Sequence, residues 1–320
     1  MTRLFTIAKN PFIETIRQPV YAIIIIAALL LFFVSPSISM YTLDDDNKLL
    51  RELGLSTLFI ASLFIAIFSA SGAVAEEIEN KTIMTVLSKP VQRPIFILAK
   101  FLGVVGAVAM AHYICTIVLI MAIRNGVLEN VDSTNDYTVL AAGGIILVIT
   151  CLLTAFLNYS YDWKATSTAM VLLAGLGTIA LIFLIFFDRD WKFNPANNSI
   201  NALDVYGSVL LFLAAVIIAA LAVALSCRFN IVVTLSACVG LFLLGLVSDW
   251  AFGALAKTHL WAKICYFAIP NLQVFWVSDA IFEGSTLPVK YVLITAIYAI
   301  CYAGGILALA VALFQRRQVG

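Results

Sequence analysis

Charged side chains are scarce in this sequence: Asp, Glu, Lys and Arg together make up 12% of the 320 residues, against 63% hydrophobic residues. The mean hydropathy is +1.05. Most of such a chain can satisfy its backbone hydrogen bonds only as closed structure within lipid, which excludes an ordinary water-soluble domain. The net charge of +1 offers no basic surface for nucleic acid. The composition therefore indicates an integral membrane protein.

Motifs that carry chemistry are also missing. The six cysteines occur singly, without a C-x-x-C pair, which argues against a disulfide framework or a zinc site. No G-x-x-x-x-G-K-[ST] phosphate loop occurs, so the chain has no nucleotide site of that kind. No D-x-x-x-D or H-x-x-x-H pattern lies within an apolar run. We therefore predict no catalytic residue, no metal site, no cofactor and no enzymatic activity of the chain's own.

Long apolar runs are what the sequence has in abundance. Eight of them approach or exceed the length of about 20 residues that a helix needs to cross a bilayer. They are residues 20–38, 53–75, 95–123, 139–159, 165–187, 205–226, 231–247 and 291–314. We therefore predict an all-α, polytopic helical bundle of about eight transmembrane helices, which forms a single domain over residues 1–320.

The first 19 residues precede the first apolar run. Phe5, Ala8, Phe12 and Ile16 fall on one side of a helical projection, away from the charged side chains. This pattern predicts an interfacial helix over residues 1–19, which Pro11 could interrupt. The alternative is a cleaved signal peptide, which we disfavour because a long charged start leads into many further apolar runs.

The basic residues indicate how the bundle is oriented. With the N-terminus in the cytoplasm, 11 Lys and Arg residues lie inside and 8 lie outside. The positive-inside rule then favours cytoplasmic N- and C-termini. Residues 251–290 are predicted to form an external interfacial segment, because Lys263, Pro270 and Asp279 interrupt what would otherwise be a ninth span.

A polar segment, residues 76–94, separates the second and third apolar runs; we call it the coupling segment. Ile83, Val86 and Leu87 recur at helical spacing on one face, while the charged residues fall largely on the others. Pro90 follows the end of this short helix, and Pro94 suits the first turn of the next one. The pattern predicts a short amphipathic helix outside the bilayer. An ordinary solvated loop with locally paired charges is the alternative.

The coupling segment and the end of the chain carry a resemblance to a known family. The segment reads Asn80-Lys81-Thr82-Ile83, then Leu87-Ser88-Lys89-Pro90-Val91, then Arg93 and Lys100 before a span. The last helix ends Phe314-Gln315-Arg316-Arg317. These features resemble the permeases of type-2 ATP-binding-cassette (ABC-2) transporters. Such permeases commonly have six spans, so the pair within residues 139–187 is predicted to be an addition.

The resemblance implies a permease domain with a cytoplasmic coupling helix that docks on a separate ATP-binding-cassette ATPase subunit. The implied docking residues are Glu76, Glu77, Glu79, Lys81, Thr82, Ile83, Val86, Leu87, Lys89 and Arg93. It also implies a second permease subunit, in a homodimer or heterodimer, surrounding membrane lipid, an inner (plasma) membrane location and export as the direction. A membrane-embedded lipid-modifying enzyme, a passive channel and a structural membrane component remain as alternatives. The substrate is unknown.

Three polar positions near or within the spans invite a chemical interpretation. His112 lies in the middle of the third span with Cys115 one turn further on, a pair that could bind a soft metal. Two ligands are too few for a site, so we expect a neutral imidazole that is hydrogen-bonded to a neighbouring helix. Asp249 is predicted at a membrane interface, and Asn158 with Asp162 at an aqueous boundary.

Overall fold

The computed structural model describes residues 2–39, 46–76, 93–127, 135–195, 200–253, 255–278, 280 and 287–315. These ranges contain ten α-helices and no β-strand beyond an isolated bridge between Phe187 and Phe193. The helices are α1 (Thr2–Arg17), α2 (Pro19–Ser39), α3 (Asp46–Ala70), α4 (Arg93–Asn125), α5 (Tyr137–Tyr161), α6 (Ala165–Phe186), α7 (Ala202–Ser226), α8 (Ile231–Phe252), α9 (Leu260–Ala268) and α10 (Val289–Gln315). The predicted all-α architecture is confirmed.

Eight of the helices in the described ranges, α2 to α8 and α10, are long and apolar enough to cross a membrane. The predicted number of spans is therefore confirmed. Helix α9 has 9 residues, which at about 1.5 Å per residue is far shorter than the roughly 30 Å of a hydrocarbon core. The described residues between α8 and α10 thus contain no ninth span.

Three helices, α3, α4 and α7, form the core of the bundle. In α3 and α7, 67% of the apolar stretch that could span a membrane is buried, and in α4 the share is 56%, compared with 11% in α5. Small residues line the buried faces of α3 and α4; among them Ser62, Ala66, Ala70, Ala107 and Ala111 are all at most 1% exposed. Small side chains let helix backbones approach closely in a membrane. These residues therefore pack within one chain.

Helix α1 is continuous, so the suggested interruption at Pro11 is wrong. Pro11 is buried against α4, where Gly103 has no side chain. A Cβ atom at Gly103 would lie 2.4 Å from Pro11 Cγ and 2.6 Å from the carbonyl oxygen of Ala8. This close approach holds α1 against the start of α4 and stabilises the helix across its proline, while Phe5 stays 68% exposed.

The antiparallel helices give the bundle two ends, which we name by their contents. At the α1 end, Gln18 approaches Gly72 after α3, Thr166 at the start of α6 donates a hydrogen bond to the carbonyl oxygen of Arg17, and the Phe96 ring of α4 stacks on Phe314 of α10. The opposite end gathers the end of α4 and the starts of α5 and α7. The end of α3 and the start of α4, which flank the coupling segment in the chain, also lie at the α1 end.

The α5–α6 pair, predicted as an addition to a six-span core, lies at the periphery. It packs mainly on itself and on α4. Helix α5 ends where Asp162 adopts a left-handed conformation with φ of 55° and its backbone N–H bonds to the carbonyl oxygen of Asn158. The Asn158 side chain donates a hydrogen bond of 2.6 Å to the carbonyl oxygen of Trp163. Both polar side chains are exposed and belong to the turn between the two helices.

Candidate functional sites

The side chains of all ten predicted docking residues lie outside the described residues. The structure does describe what flanks them, because the chain continues from α3 through a π-helical turn, Ser71–Glu76, and resumes at the start of α4. Two of the three core helices are thus joined directly by the coupling segment. A force applied to that segment acts first on α3 and α4.

The π-helical turn is buried although it lies beside a polar segment. Ser71 and Val74 are fully buried, Ala73 is 4% exposed, and the turn contacts α1, α4, α7 and α8 as well as α3. π-Helical turns are uncommon, and those that do occur often lie at functional sites. Here the turn connects the coupling segment to four helices besides the one that it extends.

His112 joins the three core helices at the middle of the bundle. The imidazole of this α4 residue lies 2.8 Å from Ser62 Oγ on α3 through Nδ1. Its Nε2 lies 2.9 Å from the carbonyl oxygen of Ser208 on α7 and 3.1 Å from that residue's Oγ. Thr116 extends the network, since its hydroxyl lies 2.7 Å from Ser208 Oγ. The expected hydrogen bond to a neighbouring helix is confirmed, and there are two such helices.

Hydrogen-bond accounting assigns the tautomer of a neutral ring at this position. A backbone carbonyl only accepts, so Nε2 carries the hydrogen that bonds to the Ser208 carbonyl oxygen. Nδ1 of a neutral ring then accepts from the Ser62 hydroxyl, which can turn to it from the Leu58 carbonyl oxygen 2.8 Å away. The imidazole is therefore satisfied in its neutral form. Among the described residues, no group of three or more His, Cys, Asp or Glu side chains is placed to hold a metal ion.

A second polar cluster lies at the opposite end, where Asp136 precedes α5. Asp136 is fully buried and its Oδ1 accepts from the backbone N–H groups of Thr138 and Val139, which caps the helix. Its Oδ2 lies 3.1 Å from Arg124 Nε and 3.8 Å from Arg189 Nε. Arg124 also donates to the carbonyl oxygens of Leu184 and Phe187. This ion pair therefore fastens the end of α4 to the start of α5 and to the end of α6.

A cavity of about 330 Å³ lies beside this cluster. Arg51 of α3 and Asp204 of α7 face it from the other side, with Arg51 Nε 3.4 Å from Asp204 Oδ1. Both of these atoms are buried, and neither makes a hydrogen bond. The floor is apolar and comes from α4 and α6, including Ile120, Met121 and Ile185. The cavity thus combines charged lining residues with an apolar part, which we call its floor.

Asp249 lies near the end of α8, where its Oδ1 accepts a hydrogen bond of 3.1 Å from the Tyr266 hydroxyl of α9. Its neighbour Trp250 is 83% exposed. An exposed carboxylate beside an exposed tryptophan fits a boundary between lipid and water. The contact also attaches α9 to the bundle.

The sequence interpretation did not single out the residues of the charged cluster. Arg51, Arg124 and Arg189 were among the eight basic residues predicted outside, and no role was assigned to Asp136 or Asp204. One local signal was available, because Asp136 stands directly before Tyr137 and Thr138 as an N-cap residue does. Nothing local showed that charges so distant in sequence meet around one cavity.

These features define a multi-pass helical membrane protein. Hydrogen bonds of His112 connect its three core helices, and the coupling segment joins two of them in the chain. A family model described as ABC-2 family transporter protein matches residues 20–231. The chain therefore belongs to the ABC-2 transporter permease family. A comparison with curated proteins finds no match.

Proposed function

We propose that the chain is the membrane-spanning permease subunit of an exporter that is driven by ATP hydrolysis on a separate ATPase subunit. Family membership supports a transport subunit rather than an enzyme, and permeases of this family generally work with an ATPase. The observation that carries the proposal is which two helices the coupling segment connects in the chain. It joins α3 and α4, two of the three helices with the largest buried share.

The proposed transmission follows from the packing. The ATPase seats the apolar face formed by Ile83, Val86 and Leu87, while the charges of the segment set its register. Movement of the segment passes through the buried turn Ser71–Glu76 into α1, α7 and α8. Because protein interiors are close-packed, a shift at this turn is passed to the neighbouring helices. Two permease subunits and two ATPases complete the proposed assembly.

The proposed orientation places both termini and the coupling segment in the cytoplasm and the charged cavity outside. The location is then the inner (plasma) membrane, with residues 251–290 at the external interface. The short α9 and the exposed Trp250 and Trp261 support an interfacial position for that segment. We propose an apolar or amphipathic cargo, because the described spans hold few charged groups at mid-membrane.

The docking role is tested with the double variant Ile83→Asp plus Leu87→Asp, co-expressed with a candidate ABC-type ATPase from the same organism. Burying each side chain in an interface is worth about 1.5–3 kcal/mol. Losing both should weaken association by roughly 10²–10⁴-fold. Co-purification and permease-dependent ATP hydrolysis are the measurements. If both persist at the wild-type level, the docking role is wrong.

The matched control is Leu260→Asp plus Ile264→Asp on α9. These residues have the same apolar character and the same four-residue spacing, and they are 76% and 61% exposed. They lie near the opposite end, so association with the ATPase should be unchanged. Hydrolysis that does not depend on the permease, together with turnover of a lipid by this chain alone, would support the membrane-enzyme alternative instead.

A further inference from the structure

The cavity at the opposite end is lined by charged side chains of both signs, some of which have atoms without a hydrogen-bond partner. Three guanidinium groups and three carboxylates line it. Asp136 and Arg124 are committed to each other and to backbone groups, and Asp188 accepts from the backbone N–H of Arg189 at 2.7 Å. By contrast, Arg51 Nε and Asp204 Oδ1 make no hydrogen bond, and the exposed Arg189 guanidinium donates one of 3.3 Å to the carbonyl oxygen of Arg124.

The contact between Arg51 and Asp204 is the clearest sign of an incomplete site. Asp204 is 7% exposed, yet its Oδ1 makes no hydrogen bond and lies 3.4 Å from an equally unbonded Arg51 Nε. Charge-assisted hydrogen bonds between such groups are normally about 2.7–2.9 Å long. Leaving a buried carboxylate oxygen and a buried guanidinium N–H without hydrogen bonds is costly, so a ligand that supplies those bonds gains binding free energy here.

The signs of the charges restrict the head group of that ligand. A simple anion would be repelled by the Asp204 carboxylate, and a simple cation would be repelled by the guanidinium groups of Arg51 and Arg189. A head group with one ammonium and one anionic group avoids both repulsions, because the ammonium donates to Asp204 while the anion accepts from the two guanidinium groups. Arg189 is half-exposed and 3.8 Å from its carboxylate partner, so it can turn towards an anion.

The floor restricts the rest of the ligand. It is formed by apolar side chains of α4 and α6, among them Ile120, Met121, Leu181 and Ile185. Burial of an apolar chain against them removes apolar surface from water. A volume of about 330 Å³ is at the small end of ligand pockets, which suits a head group and the first part of a chain. We propose that this cavity binds an amphiphile whose polar head carries a primary ammonium group and a phosphate.

Binding is measured on the purified full-length chain in an uncharged detergent, by native mass spectrometry. The probes are lysophosphatidylethanolamine, lysophosphatidylglycerol, which lacks the ammonium, and free phosphoethanolamine, which lacks the chain. The wild type should prefer lysophosphatidylethanolamine over each of the others by about tenfold or more. Equal binding of the two lysolipids would overturn the zwitterion assignment. Equal binding of phosphoethanolamine would overturn the amphiphile assignment.

The variant Asp204→Asn should remove the preference for the ammonium head, whereas Asp190→Asn should keep it. Asp190 is paired with Lys192 on the surface and does not line the cavity. A second pair covers the case in which Asp204→Asn does not fold. Ile185→Trp fills the cavity and should abolish binding, while Ile182→Trp, 50% exposed and outside the cavity, should not. Binding that survives Ile185→Trp refutes the proposal.

The site is independent of the proposed ATPase coupling. Binding is measured without an ATPase, so loss of docking in the coupling-segment variants leaves this test intact. Conversely, a cavity that binds nothing leaves the transport assignment unchanged.

Discussion

Asp136 allows the energetics of the charged cluster to be worked out in detail. Its carboxylate caps α5 through Oδ1 and faces Arg124 through Oδ2 at 3.1 Å, with no exposure to solvent. Substituting Asn keeps an oxygen at the cap and removes the charge. Substituting Ala removes both. The two variants therefore separate the two contributions.

The expected magnitudes follow from burial. Removing one partner of a buried ion pair costs about 3–5 kcal/mol, and the lower end applies because the Arg124 side chain is 19% exposed. Loss of an N-cap costs about 1 kcal/mol. We therefore expect Asp136→Asn to lower the free energy of unfolding by about 3 kcal/mol and Asp136→Ala by about 4 kcal/mol.

The assay is equilibrium unfolding in mixed micelles with increasing denaturing detergent, followed by tryptophan fluorescence. Asp190→Asn is the control, since the Asp190–Lys192 pair is 3.6 Å long and its two side chains are 77% and 79% exposed. Exposed pairs contribute roughly 0–1 kcal/mol. If Asp136→Asn and Asp190→Asn unfold at the same detergent fraction, the ion pair does not fasten the three helices and our account of this cluster is wrong.

Two further substitutions test the packing of the bundle. Gly103→Ala places a Cβ atom 2.4 Å from Pro11 and 2.6 Å from the Ala8 carbonyl oxygen, so α1 must shift and the melting temperature should fall, at a cost of about 1–3 kcal/mol. Gly304→Ala is its control, since a Cβ there meets no described atom within 4 Å. If the melting temperatures of the two variants fell equally, the close approach of α1 to Gly103 would be contradicted. His112→Leu removes the hydrogen bonds of both ring nitrogens, worth about 0.6 kcal/mol each in a membrane, so stability should fall by about 1–2 kcal/mol while the ATPase still co-purifies. Complete loss of transport in a variant that assembles normally would give His112 a role beyond packing.

The spans were predictable because the bilayer imposes local requirements. Each crossing needs a length of about 20 apolar residues, and those lengths can be read from the chain itself. The predicted starts at residues 165 and 231 coincide with the starts of α6 and α8. The polarity of residues 251–290 likewise favoured an external interfacial segment over a ninth span, and the described residues of this segment contain no span. Pro11 is the exception, since the expected break depends on local geometry and packing on Gly103 overrides it.

The partners of the polar side chains were not predictable in the same way. The sequence indicated a hydrogen-bonded His112, but not that Ser62 and Ser208 would provide the bonds. Such pairs depend on how each helix is rotated about its axis and on which helices are neighbours. Neither can be inferred from the lengths of the apolar runs. The cavity that Arg51 and Asp204 line depends on the same placement.

The sequence by itself therefore determined the class of protein, the number of membrane crossings and the polar character of the coupling segment, because lipid acts on every residue through its own polarity. Only the tertiary structure decided that α3, α4 and α7 form the core and that distant charges meet at one end. Those features arise from contacts between residues far apart in the chain, and they exist only once the helices are packed.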